Sequence, residues 1–406
     1  MVKTVVIGAG LAGLVAATRL AQEGADVVLA TKGLGGLPTS QGTIDVWGYR
    51  DGKRVEAPLD AVAAAPAGHP YAAIGVGAVK DGLAWLAEHL PDWLTGDAAA
   101  NVWLPTAVGA LRPTCLCQPG MLAGAGATRV VIVGLARLKD FQAALIAGNL
   151  TRTGRVEARA ITIDIPARSG EADSSALTYA RAADEPGFAA HLAAAIAPSL
   201  GSGEAVGLPA ILGLHTPGVG RDLADRLGHP VFEIPLPPPS VAGLRLNDAL
   251  TTLAKAAGVR VILGSPVTGL KAEGDRVRSV TLASAGHDRD LVADVFVLAT
   301  GGFETGALAL DSYGTVTETA LGLPVRVPDG DLIGADYWEA QPLFAAGCAV
   351  DVSMRVLDAG GAVVHPNLYA IGGVLAGAQR WKEKSGDGIA VGSAMKAVAA
   401  IMGGER

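Results

Sequence analysis

The apolar positions of the first thirty residues change their spacing twice, and the change predicts three elements. Residues 4–7 form the β-branched run TVVI, which is typical of a buried strand. Leu14, Ala17 and Leu20 follow at helical spacing. A second apolar run at 27–29 then predicts another strand. The chain therefore opens with a strand–helix–strand unit.

Short apolar runs and stretches of helical spacing alternate to the C-terminus, which indicates an α/β chain. The further predicted strands lie at 130–134, 156–164, 208–214, 231–234, 259–263, 268–272, 277–283, 291–298 and 367–373. The further predicted helices lie at 77–90, 138–150, within 170–203, at 219–227, at 243–257 and from 385 onward. Residues 47–68 predict a surface excursion, and 111–114 predict a proline-stiffened turn.

The order of these elements predicts a main domain that is interrupted by a small lobe. The proline run at 235–239 closes the lobe. We expect the main domain to begin at 1–125 and to resume at 237–310, with the inserted α/β lobe at 126–236 between these parts. A small connecting or cap segment follows at 311–358, and the C-terminal strand and helix of the main domain lie at 359–406.

A glycine motif lies between the first strand and the first helix. Gly8, Gly10 and Gly13 have the spacing G-x-G-x-x-G in the strand–turn–helix context of a dinucleotide-binding site. These glycines permit a tight turn, a close approach of a phosphate and close packing of the helix. We expect the free N–H groups at the helix start, including those of Leu11 and Ala12, to bind the phosphate at the positive end of the helix dipole.

The carboxylate that normally ends the second strand and binds an adenosine ribose is missing. The strand ends in Ala30, Thr31 and Lys32. A hydrogen bond to a charged group contributes about 1.5–3 kcal/mol, so its loss would weaken an adenosine-bearing cofactor about 10- to 100-fold. The sequence therefore favours FMN over FAD or NAD, provided that Thr31 does not replace the carboxylate.

Later glycine turns complete the pattern of a two-dinucleotide-binding-fold flavoprotein. A hairpin and an apolar strand lead into ATGG at 299–302, which is the second fingerprint of that fold class. The final helix begins near Gly388, where its N-terminus would stabilise negative charge on a reduced flavin ring. The polar loop after the second strand suits the edge of the ring. The expected cofactor-binding residues in these turns and in the loop are Thr39, Ser40, Gly42, Thr300, Gly301, Gly302, Gly372 and Gly373.

Composition limits the class of protein further. Of 406 residues 50% are hydrophobic, but no unbroken stretch of about twenty strongly apolar residues occurs, so no membrane span is predicted. The net charge of −7, without a basic block, argues against nucleic-acid binding. The N-terminus enters a strand at once and leaves no room for a signal peptide. Cys115, Cys117 and Cys348 predict reduced thiols of a cytoplasmic protein and no metal site.

Six stretches are especially distinctive: IGAGLAGL from Ile7, LRPT from Leu111, VVIVGLARLKDFQAAL from Val130, LPPPSVAGLRL from Leu236, VLATGGF from Val297 and NLYAIGGVLAG from Asn367. In these stretches the chain resembles the B subunit of the anaerobic glycerol-3-phosphate dehydrogenase, nearly end to end. The resemblance implies an FMN-binding subunit that pairs with an FAD-bearing catalytic subunit. It also implies that electrons pass through a membrane-attached iron–sulfur subunit to quinone, on the inner face of the cytoplasmic membrane.

The reaction implied by the resemblance is hydride transfer from carbon 2 of glycerol 3-phosphate to flavin N5, which yields dihydroxyacetone phosphate. This chemistry requires a cation for the substrate phosphate and a base for the hydroxyl proton. Arg112 and Arg245 are the candidate cations, because a guanidinium can bind two phosphate oxygens; either could instead bind the flavin or form a structural ion pair. His215 is the candidate base, with His365 and Glu304 as alternatives.

The sequence leaves the role of the subunit open. It could oxidise the substrate, or it could be an electron-relay and assembly subunit. A stand-alone flavin reductase of the fumarate-reductase type fits less well, because the chain has only 7 histidines and no large capping domain is evident. Gly372 and Gly373 replace the Gly-Asp of many flavoproteins, and Asp387 could supply the missing ligand.

Overall fold

The computed structural model describes residues 1–284 and 286–403. At its centre is a parallel sheet of five strands, and the β-branched runs of its first two strands in the chain are buried on both faces, as is typical of parallel sheets. The order across the sheet is Arg260–Leu263, Asp26–Thr31, Lys3–Ile7, Val295–Leu298 and Leu368–Ala370. Because all strands run in one direction, the turns that follow them meet at one edge of the sheet. This confirms the α/β fold class.

Four long helices surround the sheet, and they pack through small and apolar side chains such as Ala17, Leu20 and Leu250, which are fully buried. The first helix contacts both the helix that follows the lobe and the final helix. The bounds of the four are Leu11–Gln22, Val76–His89, Val241–Ala256 and Gly386–Gly403. Shorter helices lie at Pro58–Ala63, Pro70–Ile74, Pro119–Leu122 and Arg380–Glu383.

The apolar run at 291–298 is two strands and not the single strand that its pattern predicts. Arg289–Val292 completes an antiparallel sheet with Val267–Glu273 and Arg276–Leu282, and the chain then enters the central sheet. Asp294 fixes this change of sheet, because its carboxylate accepts a hydrogen bond from the backbone N–H of Lys3 at 2.9 Å.

The inserted lobe has its own parallel sheet and its own hydrophobic core. Its strands are, in order across the sheet, Glu157–Ile163, Arg129–Leu135, Ala205–Pro209 and Val231–Ile234. Its helices are Ala143–Arg152, Ala176–Ala183, Phe188–Ile196 and Val219–Leu227. The alanine-rich segment 170–203 thus contains two helices. Gly187 separates them, because its φ of +93° is left-handed.

Two predictions for the first 125 residues are wrong in detail. Leu111–Thr114 is not a turn: it is a strand that pairs with Val102–Pro105, and the turn lies between them. Trp47 does not belong to a surface excursion, because it is only 3% exposed and stacks on His69 with 4.7 Å between ring centroids. The remaining short paired strands are Tyr49–Arg50 with Lys53–Arg54, Thr95–Gly96 with Leu116–Cys117, and Leu308–Leu310 with Val316–Glu318.

Among the helices that the structure describes, none is both long and apolar enough to cross a membrane. The three cysteines are buried free thiols. Burial, above all, raises the pKa of Cys115 to about 12, and Cys117 and Cys348 are raised to about the same pKa for the same reason. Within residues 1–284 and 286–403 no group of three or more histidine, cysteine or acidic side chains is arranged to hold a metal ion.

Candidate functional site

The first glycine turn has the close packing that its motif predicts. Gly8 has a φ of +109°, and a Cβ there would collide with the carbonyl oxygen of Ala299. A Cβ on Gly13 would collide with the carbonyl oxygen of Gly8, so the helix rests directly on the turn. Gly10 differs, because a Cβ there would meet no atom within 4 Å in the part of the chain that the structure describes, and its φ of −76° suits any residue. The fold therefore needs Gly8 and Gly13, whereas Gly10 leaves open space at the helix start.

The three predicted glycine turns meet at this point. The second turn lies against the first through the contact of Ala299 with Gly8. A Cβ on Gly372 would lie 2.7 Å from the Cβ of Ala12, and a Cβ on Gly302 would lie 3.2 Å from the carbonyl oxygen of Gly373. Residues predicted from three separate motifs therefore form one group, which we call the glycine cluster: Gly8, Gly10, Leu11, Ala12, Gly13, Thr300, Gly301, Gly302, Gly372 and Gly373.

The glycine cluster has the electrostatics of an anion site. The helix Leu11–Gln22 starts there, and its N-cap residue Gly10 has no side chain to satisfy the first N–H groups. Thr300 Oγ1 is buried and has no hydrogen-bond partner among the described residues. Buried polar groups normally have partners. The free N–H groups, the open space at Gly10 and the unpartnered hydroxyl together fit a phosphate-bearing cofactor.

An arginine that the sequence analysis missed lies over the cluster. The guanidinium of Arg380 occupies the space that a Cβ on Gly373 or on Gly302 would need. Its Nη2 donates to both carboxylate oxygens of Glu304 at 3.3 Å, and Glu304 is 60% exposed. No sequence motif distinguishes Arg380 from the other arginines, because its importance depends on how the short helix Arg380–Glu383 lies against the two glycine turns.

The loop after the second strand lies against the first glycine turn. Thr31 Oγ1 donates to the carbonyl oxygen of Gly33 at 2.6 Å and accepts from the N–H of Gly33 at 3.3 Å. A Cβ on Gly35 would lie 2.6 Å from Cα of Gly10. The hydroxyl of Thr31 is therefore used within its own turn, and the loop covers the side of the motif next to the end of the second strand.

The polar loop at 39–42 uses its hydroxyl groups locally. Thr39 Oγ1 donates to the carbonyl oxygen of Gly36 at 2.8 Å, and Ser40 Oγ accepts from the N–H of Gly42 at 3.1 Å. Gly42 has a φ of +71°, and a Cβ there would lie 2.6 Å from the carbonyl carbon of Ala242. The loop thus packs tightly on the helix Val241–Ala256.

A partly buried cluster of charges follows this loop. The carboxylate of Asp45 pairs with Arg112, whose Nε donates to Oδ2 at 2.6 Å. Thr43 Oγ1 donates to the other carboxylate oxygen at 3.0 Å. The backbone N–H of Asp45 donates to Asp387 Oδ2 at 3.2 Å. The guanidinium of Arg112 therefore pairs with the carboxylate of Asp45, and the carboxylate of Asp387 lies beside that pair.

The final helix connects this charged cluster to the glycine cluster. The N–H of Gly388 donates to the carbonyl oxygen of Asp45 at 3.0 Å, and a Cβ on Gly388 would lie 2.9 Å from Cα of Val46. Further along the helix, Ser393 Oγ accepts from the N–H of Gly372 at 2.9 Å. Gly388 thus lies at a tight packing contact, and its N–H is already bonded to Asp45.

Burial and then the charge of Asp45 raise the pKa of Asp387 to about 7. For Arg112 burial acts in the opposite direction, but the charge of Asp45 and the hydrogen bond to it outweigh burial and raise the pKa. Burial, followed by the charge of Arg112, lowers the pKa of Lys384. Asp387 can therefore hold an exchangeable proton near neutral pH, while Arg112 stays charged.

The raised pKa of Asp387 predicts a stability that falls as pH rises. A carboxyl group in an unfolded chain titrates near pH 3.9, so the folded chain binds more protons between about pH 4 and pH 7. Asp387→Asn keeps an oxygen acceptor for the N–H of Asp45. We expect it to flatten the decline and to be more stable than the wild type at pH 8, as measured by urea midpoints from pH 4 to 8. Asp225→Asn, at an exposed position, is the control. A profile for Asp387→Asn parallel to that of the wild type would contradict the prediction.

Arg245 lies in a different buried network. It is 2% exposed, and its two terminal nitrogens donate to the two carboxylate oxygens of Glu233 at 2.7 and 3.0 Å. Its other bonds go to Gln118 Oε1 at 2.9 Å and to the carbonyl oxygen of Gly213 at 2.7 Å. Glu233 and Gly213 belong to the inserted lobe, so Arg245 connects the lobe to the main domain. This geometry favours the structural ion pair over a substrate-binding role.

The two candidate histidine bases do not lie at the glycine cluster. His215 is exposed in the inserted lobe and lines a cavity of about 320 Å³ together with Trp93 and Arg245, and no residue of the glycine cluster lines that cavity. His365 donates through Nδ1 to the carbonyl oxygen of Asp275 at 2.8 Å. Of the three candidates, only Glu304 is near the cluster, through its pair with Arg380.

Comparison with known proteins agrees with this fold. Residues 3–389 match the FAD binding domain family, which defines the chain as a protein of the FAD-binding-domain class. The probable B subunit of anaerobic glycerol-3-phosphate dehydrogenase from Halobacterium salinarum is 33% identical over 96% of this chain and 95% of its own length. The corresponding B subunit from Pectobacterium atrosepticum is 32% identical over 98% of both chains. The chain belongs to the B-subunit family of the anaerobic glycerol-3-phosphate dehydrogenases, which confirms the resemblance found in its sequence.

Proposed function

We propose that this chain is the FMN-binding, electron-carrying subunit of an anaerobic glycerol-3-phosphate dehydrogenase complex. In that complex it pairs with an FAD-bearing catalytic subunit and a membrane-attached iron–sulfur subunit on the inner face of the cytoplasmic membrane. The complex oxidises glycerol 3-phosphate to dihydroxyacetone phosphate and reduces quinone. The observation that supports this proposal most strongly is the meeting of three glycine turns at an uncapped helix N-terminus.

The glycine cluster would hold the phosphate end of the flavin. The N–H groups of Leu11 and Ala12 lie at the positive end of the helix dipole, and Thr300 Oγ1 offers a free hydroxyl among the described residues. The missing side chain of Gly10 lets the phosphate approach the backbone. When bound, the flavin accepts electrons and passes them on. The chain itself binds and orients the cofactor.

Two features near the second strand favour FMN over FAD. The hydroxyl of Thr31 is bonded to Gly33, so it is a poor substitute for the missing ribose carboxylate. Gly35 packs against Gly10 on the same side, where the adenosine half of a dinucleotide would continue. A cofactor that ends at one phosphate avoids both problems.

Within the complex, the geometry favours an electron relay over substrate oxidation by this chain. His215 is separate from the glycine cluster, and Arg245 is fully engaged with Glu233. One observation favours the second candidate, oxidation by this chain itself: the pKa of about 7 makes Asp387 a possible proton acceptor. In the relay case, the FAD-bearing partner without this chain should still oxidise glycerol 3-phosphate with an artificial acceptor but should not reduce quinone.

The cofactor assignment is tested by denaturing the purified complex and identifying the released flavins by mass. We expect one FMN and one FAD for each complex. A complex that releases FAD alone, at two per complex, would contradict FMN and would mean that the loop at 31–35 moves to admit adenosine. A complex with a single FAD would show that this chain binds no flavin.

A further inference from the structure

We propose that Arg380 binds a phosphate monoester at the glycine cluster, an inference that rests on the proposed function. The guanidinium lies across two of the three glycine turns. A Cβ on Gly302 would collide with Nη2, and a Cβ on Gly373 would collide with Nη1. Glycine at these two positions is therefore what admits a cation to the cluster.

The charge of Arg380 is poorly compensated. Its side chain is only 18% exposed, and its one salt bridge among the described residues runs at 3.3 Å to the exposed carboxylate of Glu304. Arg245, in contrast, makes four hydrogen bonds of 2.7–3.0 Å. Removing a cation from water is costly unless a close anion replaces the water. Arg380 therefore retains the capacity to bind a stronger anion than Glu304.

The surroundings of Arg380 identify the anion. Gly373 follows Gly372, which packs on Ala12 in the first turn of the first helix, so the guanidinium belongs to the same group of turns as the helix N-terminus. Thr300 Oγ1, which has no partner within the described residues, lies in the turn beside Gly302. A guanidinium fork, a free hydroxyl and uncapped N–H groups together suit the doubly charged oxygens of a phosphate monoester.

Two kinds of ligand in the proposed reaction carry such a group. One is FMN, whose ribityl chain ends in a phosphate monoester, and the other is the substrate glycerol 3-phosphate together with its product dihydroxyacetone phosphate. The diphosphate of FAD has no monoester. The two ligands share the same phosphate chemistry, so the experiment must distinguish the two sources.

The first arm uses the assembled complex after its FMN has been removed. Affinities for FMN and for riboflavin, which lacks the phosphate, are measured for the wild type and for Arg380→Gln. If Arg380 binds the cofactor phosphate, Arg380→Gln weakens FMN binding about 10- to 100-fold and leaves riboflavin binding unchanged. Arg380→Lys, which keeps the charge, should restore part of the loss.

The second arm measures the KM for glycerol 3-phosphate in the holo-complex. If Arg380 binds the substrate phosphate, Arg380→Gln raises KM about 10-fold or more and does not change the ratio of FMN to riboflavin affinity. A wild-type complex without FMN would contradict the proposed cofactor alone, and the Arg380 proposal would then be decided by this arm.

Two further variants separate ligand binding from a structural role. Glu304→Gln removes the competing carboxylate, so it should strengthen phosphate binding, whereas a structural ion pair would make it act like Arg380→Gln. Arg226→Gln, which breaks a surface pair with Asp222 in the inserted lobe, controls for the loss of one positive charge. The proposal is overturned if Arg380→Gln changes neither the affinity ratio nor KM, or if Glu304→Gln reproduces its effects.

Discussion

Replacing Gly10 by valine is expected to give a folded protein that contains no flavin. A Cβ at Gly10 would meet no atom of the described residues within 4 Å, and the backbone angles there suit valine. The same side chain would stand at the N-terminus of the helix Leu11–Gln22, where the cofactor phosphate must approach the backbone. We expect the flavin content of the chain to fall below about a tenth of the wild-type value, because a loss of about 1.4 kcal/mol already gives tenfold weaker binding.

The measurement compares FMN released per complex with the thermal midpoint of the chain. Gly148→Val is the matched control, because Gly148 also has open space around a Cβ and lies in the inserted lobe. It should retain both its stability and its flavin, because valine has a higher helix propensity than glycine. Gly13→Val should lose both, because its side chain would collide with the carbonyl oxygen of Gly8. A fully loaded Gly10→Val complex would contradict the location of the phosphate site.

The glycine turns could be predicted from sequence because their constraints are local. The backbone at Gly8 has a φ of +109°, and the helix at Gly13 packs directly on a carbonyl oxygen. Both positions admit only glycine, so a glycine at each of them in the sequence indicates the local backbone geometry. Their convergence with Gly372 follows from a second rule, that turns after parallel strands meet at one edge of the sheet. The fold class could therefore be predicted without any knowledge of side-chain contacts.

The partners of the charged residues could not be predicted in the same way. Arg112 stands out in the sequence through its proline-containing motif, but its partner Asp45 lies 67 residues away. Asp387 meets Asp45 across 342 residues. No periodicity relates positions so far apart, because these contacts depend on how the loops return over the sheet.

The apolar pattern also conceals breaks within a run. Residues 291–298 are mostly apolar, yet the run divides at Asp294, which is bonded to Lys3 of the first strand. The position of Arg380 also could not be predicted from the sequence. Its guanidinium fills the space left by the missing side chains of Gly302 and Gly373, and the sequence marks both as turn glycines without showing which side chain lies against them.

Replacing Arg245 by alanine is expected to destabilise the chain by about 3–5 kcal/mol, because Glu233 would be left buried without a counter-ion. Glu233 is 5% exposed, and its other bond within the described residues is from the N–H of Leu212 at 2.8 Å. The loss should appear as a lower urea midpoint. It should also loosen the lobe, since Arg245 bonds to Gly213 as well.

The surface variant Arg226→Ala is the control, and it should cost no more than about 1 kcal/mol because its pair with Asp222 is exposed. The double variant Arg245→Met with Glu233→Leu should recover much of the stability, since it replaces a buried ion pair with apolar side chains. Recovery of folding together with normal quinone reduction would identify the pair as structural. If Arg245→Ala kept its stability but lost glycerol 3-phosphate turnover, Arg245 would instead be a substrate ligand, and the lobe would have to open to expose it.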